Sequence, residues 1–131
     1  MRPPLFRDHP LPVQLALGVA LPVAFGLLTG YLLGVGEGWW IIANVIGIGG
    51  GLGAGFDHVG AAEGAKRGLV GGVLFGVGVV LGDALWVDAR EATVVEPFGL
   101  FPLITATISS GLGALGGAMR ARVEAADAAQ A

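Results

Sequence analysis

The sequence predicts an all-α, polytopic membrane protein with four transmembrane helices. Of 131 residues, 54% are hydrophobic and only 13% charged, and the mean hydropathy is +0.78. Four stretches approach or exceed the ~20 apolar residues needed to cross a ~30 Å hydrocarbon core. None shows the polar stripe that a helix facing water would need. A soluble domain carries roughly a quarter charged residues, so the composition excludes an ordinary water-soluble fold, a disordered tail and a nucleic-acid binder. With no cysteine, disulfides, thiolate metal sites and cysteine nucleophiles are also excluded. The net charge of −3 points to no charged partner.

The first span covers about residues 11–35 and carries no formal charge. The second covers 39–56, the third 68–86 with Asp83 near its end, and the fourth 98–119. Pro22 removes one helical hydrogen bond and is expected to kink the first span. A cleaved leader ending near Gly18-Val19-Ala20 is disfavoured, because the apolar run continues well past that point. Residues 1–131 thus read as one four-span membrane domain, with 120–131 as a short cytoplasmic tail.

Cations set the expected orientation. Arg2 and Arg7 precede the first span, Lys66 and Arg67 the third, and Arg120 and Arg122 follow the fourth. The opposite loops hold Arg90 against Glu37, Asp83, Asp88, Glu91 and Glu96. Both termini are expected in the cytoplasm of a bacterium, the chain sitting in its plasma (inner) membrane. Trp39, Trp40 and Trp86 fall at the far ends of the second and third spans, where aromatic rings favour the interface.

An internal match suggests duplication. Residues 26–40 (GLLTGYLLGVGEGWW) align without gaps on 72–86 (GVLFGVGVVLGDALW), pairing Gly26 with Gly72, Gly30 with Gly76, Gly36 with Gly82, Trp40 with Trp86 and Glu37 with Asp83. A shorter echo joins 51–54 to 111–114. The expected architecture is two glycine-packed hairpins in tandem, repeat 1 about 11–56 and repeat 2 about 64–119, related as in parallel transporter repeats.

Glycine is the commonest means by which membrane helices approach closely, and this chain has 25. Gly60, Gly64, Gly68, Gly72 and Gly76 recur every fourth residue. On a helical wheel the third span's glycines lie within about 80° of Gly68, with Leu and Val opposite. The second span offers Ala43, Gly47, Gly51 and Gly55 on one face and Gly49 and Gly53 on the other, which places it centrally between two neighbours. The fourth offers Thr105, Ser109, Gly113 and Gly117. These stripes hold the chain's own helices together; a stripe on the third or fourth span is also a candidate for pairing with another chain.

Intramembrane polar groups are the default functional candidates. Asn44 can join helices or touch a solute. Thr105, Thr107, Ser109 and Ser110 can bond their own helix carbonyls, and Gln14 can reach headgroups. Glu37 and Asp83, repeat mates at the outer mouth, could concentrate cations as acidic rings do in channels. Asp57, His58 and Glu63 cluster in a cytoplasmic turn beside Lys66 and Arg67, but without metal-ligand spacing; ion pairs and turn capping suit them better. No nucleophile, acid/base pair, phosphate loop or metal set appears, so neither catalysis nor a cofactor is expected. The expected role is a non-enzymatic structural or accessory subunit, in contact with membrane lipid and either its own copies or a larger membrane complex. The alternative is a homo-oligomeric channel or small-solute transporter using Glu37, Asn44 and Asp83.

Overall fold

The computed structural model describes residues 3–130; Arg2, one of the orienting cations, lies outside them. Four helices are long and apolar enough to cross a membrane: α1 (Leu11–Gly34), α2 (Glu37–Phe56), α3 (Ala61–Trp86) and α4 (Phe101–Gln130). All the regular structure among the described residues is helical.

Pro22 acts on α1 as its chemistry requires. Proline has no N–H to close the preceding turn, and the segment just before it, Ala16–Ala20, widens to π geometry. The Leu21 N–H there reaches back five residues to the Ala16 carbonyl. The α2–α3 connection is a tight turn over residues 57–60. Gly60 ends it at φ 103°, a left-handed conformation that a Cβ would strain. Its N–H donates to the Gly117 carbonyl at 2.9 Å, tying this turn to α4. α3 begins seven residues before the hydropathy reading placed its apolar run, because its charged first turns stay helical. α4 likewise continues through Gln130, so residues 120–130 of the expected tail are helical.

Neighbours in sequence are not the main neighbours in space. α3 is the central helix: its most extensive interface is with α4, its next with α1, and it also meets α2. α2 leans chiefly on α4, and α1 and α2 barely meet. The second span is therefore not central. Its second small face explains the misreading: a Cβ on Gly49 or Gly53 would meet nothing within 4 Å. The aligned stretches 26–40 and 72–86 also occupy unlike elements. The first runs across the end of α1 and the start of α2, whereas the second lies wholly inside α3. In a chain this rich in Gly and Leu, composition alone yields short gapless matches.

The α3–α4 interface is backbone against backbone. A Cβ on Gly64 would fall on the Gly113 carbonyl, one on Gly68 on the Ser109 carbonyl, and one on Gly76 against Pro102 and Thr105. On Gly72 it would lie 2.6 Å from the Thr105 carbonyl oxygen. α1 meets the other side of α3 in the same way, Gly26 and Gly30 facing Gly78 and Gly82. α2 meets α4 where Gly51 approaches Ser109, Gly55 approaches Gly113, and Gly116 approaches Leu52 and Phe56. Two of the expected packing glycines serve differently. Gly47 makes room for the Phe75 ring, and Gly117 abuts the Gly60 turn. On α3 the Leu and Val side chains Leu69, Val70, Val73, Val77 and Leu81 are exposed, as a lipid-facing surface would be.

Larger side chains gather at the end of the bundle where α1 passes into α2 and α3 into the 87–97 connection. Leu33 and Val79 are fully buried, and Trp40 packs on Phe98 and Phe101 with ring centroids 6.3 and 5.5 Å away. Trp40 is thus a core residue, whereas Trp39 and Trp86 are exposed. Helical phase decides this: Trp40 shares the inward face of Ala43, Gly47 and Gly51.

These contacts predict a position-specific response. Gly72→Leu and Gly76→Leu should each destabilise the bundle by at least the roughly 1–3 kcal/mol typical of overpacking, whereas Val77→Leu and Gly111→Ala should be tolerated. Unfolding of each variant in mild detergent, followed by circular dichroism, measures the difference.

Candidate functional site

The end of the bundle where α3 gives way to the 87–97 connection carries the densest charged arrangement. Asp83, in the last turn of α3, is buried. Arg90 grips it with both arms of its guanidinium: Nε donates to Oδ1 at 2.9 Å and Nη2 to Oδ2 at 2.6 Å. Its Nη1 donates to Glu96 Oε1 at 3.0 Å, and Glu96 Oε2 accepts the Phe98 N–H at 2.9 Å. The guanidinium lies 4.5 Å from the centre of the Phe98 ring. Planar, two-pronged donors match a carboxylate in geometry as well as charge. Hydrogen bonding to Asp83 raises the Arg90 pKa above its ordinary value. The connection over residues 87–97 is therefore clasped onto the bundle, and the Glu91 N–H fastens it to the Leu33 carbonyl at the end of α1 (2.8 Å).

This arrangement changes the reading of the outer acids. Asp83 does not stand open as a cation contact, because an arginine neutralises it. Glu37 occupies the first turn of α2, where a carboxylate favours the positive end of a helix dipole. The two acids thus have different environments. The sequence counts Arg90 only toward orientation, as a lone cation among five acids, and does not mark it as the partner of Asp83.

The remaining polar candidates serve the backbone. Asn44 Nδ2 donates to the Trp40 carbonyl of its own helix at 2.9 Å, while its Oδ1 is buried without a partner. Thr29 and Thr107 bond carbonyls one turn back. Three hydroxyls reach across helices: Thr105 to the Gly72 carbonyl (2.8 Å), while also within reach of the Phe101 and Pro102 carbonyls of its own helix, Ser110 to Ala65 (3.1 Å) and Ser109 to Ile48 (3.4 Å). Close helix approach makes this possible, since it brings a neighbour's carbonyl within reach of a short side chain. Gln14 turns inward to the His9 carbonyl at 2.7 Å and so holds the N-terminal segment.

At the opposite end the cations make separate local contacts. Arg120 is buried and bonds Glu124 and the Pro3 carbonyl. The Phe6 N–H donates to the Asp57 carbonyl, and the Phe6 ring stacks on His58 at 5.5 Å. Lys66 pairs with Glu63 at 2.7 Å. No group of three metal-ligating side chains occurs among the described residues.

Arg90→Gln should release the 87–97 connection without dissolving the helices. Limited proteolysis of the purified protein then cuts within 87–97 at least several-fold faster than in the parent protein, with helical content unchanged.

No protein-family model, curated protein or solved structure matches this chain.

Proposed function

We propose that this protein is a small, non-enzymatic structural or accessory subunit of a bacterial inner membrane, with both termini in the cytoplasm and helices joined in glycine-zipper fashion. The observation that carries the reading is the use of its intramembrane polar side chains. Thr29, Asn44, Thr105, Thr107, Ser109 and Ser110 each donate to a backbone carbonyl. Thr105, Ser109 and Ser110 thereby join neighbouring helices, whereas Thr29, Asn44 and Thr107 bond their own helix, and in these bonds none of the six is given to a solute. The outer acid best placed to attract cations is neutralised from within the chain.

Assembly with another chain would use α2, because the small-residue faces of α3 and α4 are spent on each other. Gly49 and Gly53 of α2 are open, and Trp39, Ile42, Val45 and Ile46 beside them are exposed. An open small-residue face permits the close approach that drives helix association in lipid.

Native mass spectrometry from lipid nanodiscs tests this. A defined complex, with itself or a larger membrane assembly, is expected, and Gly53→Leu should dissociate it while leaving the monomer folded. A stable monomer in every lipid, or ion flux in proteoliposomes abolished by Glu37→Gln with Asp83→Asn, would replace this reading with another. The flux result would favour the channel or transporter.

A further inference from the structure

Because α1 and α2 barely meet, a groove of about 300 Å³ lies between them, with α3 as its floor. Its walls are apolar, with Leu21 and Pro22 from α1 and Ile46 and Ala54 from α2, and Phe75 contributes to the lining from α3. Gly50 and Gly71 leave it open where side chains would otherwise fill it. The volume falls at the lower end of the ~300–1,000 Å³ typical of small-molecule sites.

Arg67 also lines this slot. Its Nη2 donates to the Leu17 carbonyl at 2.9 Å, and its guanidinium lies 5.1 Å from the centre of the Phe6 ring. Its Nε is buried with no hydrogen-bond partner. No carboxylate among the described residues pairs with Arg67 within salt-bridge distance, although Asp57 acts on it at longer range. The nitrogen beside the groove is Nη1, next to Gly71, and it donates to no partner among the described residues. The ligand that satisfies both features has an anionic oxygen cluster at one end and hydrocarbon at the other.

We propose that this groove binds an anionic phospholipid, one acyl chain lying between α1 and α2 and the phosphate held by Arg67. The apolar walls favour the chain, and the planar guanidinium is suited to phosphate oxygens. Arg67 lies in the second turn of α3, beside the charged turn that precedes the span. A basic pocket between membrane helices at that level is where lipid headgroups are recognised. A free anion would satisfy Arg67 but leave the slot empty. The inference stands apart from the assembly role.

The experiment is native mass spectrometry of delipidated protein titrated with phosphatidylglycerol or with phosphatidylcholine of the same acyl chains. The parent protein should prefer phosphatidylglycerol about tenfold, the scale of one charge-assisted hydrogen bond. Arg67→Gln should abolish the preference. Gly50→Leu, whose side chain enters the groove from a position with nothing within 4 Å, should weaken both lipids while keeping the parent's thermal stability. Equal binding of the two lipids by the parent would overturn the proposal, as would an undiminished preference in Arg67→Gln. Glycerol phosphate competing as strongly as the intact lipid would assign Arg67 to a soluble anion instead, and would equally overturn it.

Discussion

The structure depends on one constraint: α3 lies so close to both α1 and α4 that no side chain fits at the points of contact. Hydrocarbon supplies no hydrophobic drive for helices to associate, so membrane helices gain by dispersion and short polar contacts. Both fall steeply with distance. Removing the Cβ at Gly64, Gly68, Gly72, Gly76 and Gly113 lets carbonyl oxygens of one helix sit against the α-carbons of the next. Cα–H···O contacts of that type contribute about 0.5–1 kcal/mol each.

Other features follow from that proximity. Thr105 and Ser110 bond carbonyls on the neighbouring helix because those carbonyls are near enough. α3 can be central because it carries glycines on two faces, one set for α4 and another, Gly78 and Gly82, for α1. At the end where α1 passes into α2 the helices separate enough to admit Trp40, Phe98 and Phe101, and there the Asp83–Arg90 pair fixes the long connection. Where α1 and α2 fail to close over α3, the groove beside Arg67 remains.

Hydropathy and span length were enough to expose the four helices, since bilayer thickness acts on every stretch alike. Helical period also revealed the glycine face of α3 and its Leu/Val back. Period names a face, however, and not what lies against it. Gly49 and Gly53 of α2 therefore read as a contact surface although they face open space within the chain, and the matched stretches 26–40 and 72–86 fall on unlike elements once the helices are placed. Trp40 read as an interface anchor because position along the axis is legible while inward phase depends on neighbours. Asp83 read as an open acid because its partner lies in an irregular connection, where no periodicity predicts which side chain returns to the helix. The cross-helix hydroxyl bonds were hidden for a related reason: a serine's choice between its own carbonyl and a neighbour's is set by tertiary distance.

The central claim is that α1 and α4 each press on α3, backbone to backbone, and that α1 does not pair with α2. Nuclear Overhauser contacts between glycine α-protons, measured in lipid nanodiscs with glycine-selective labelling, test it most directly. The account predicts cross-peaks joining Gly26 with Gly78 and Gly68 with Gly113. Cross-peaks joining the α1 glycines to α2, with none to Gly78 or Gly82, would contradict it.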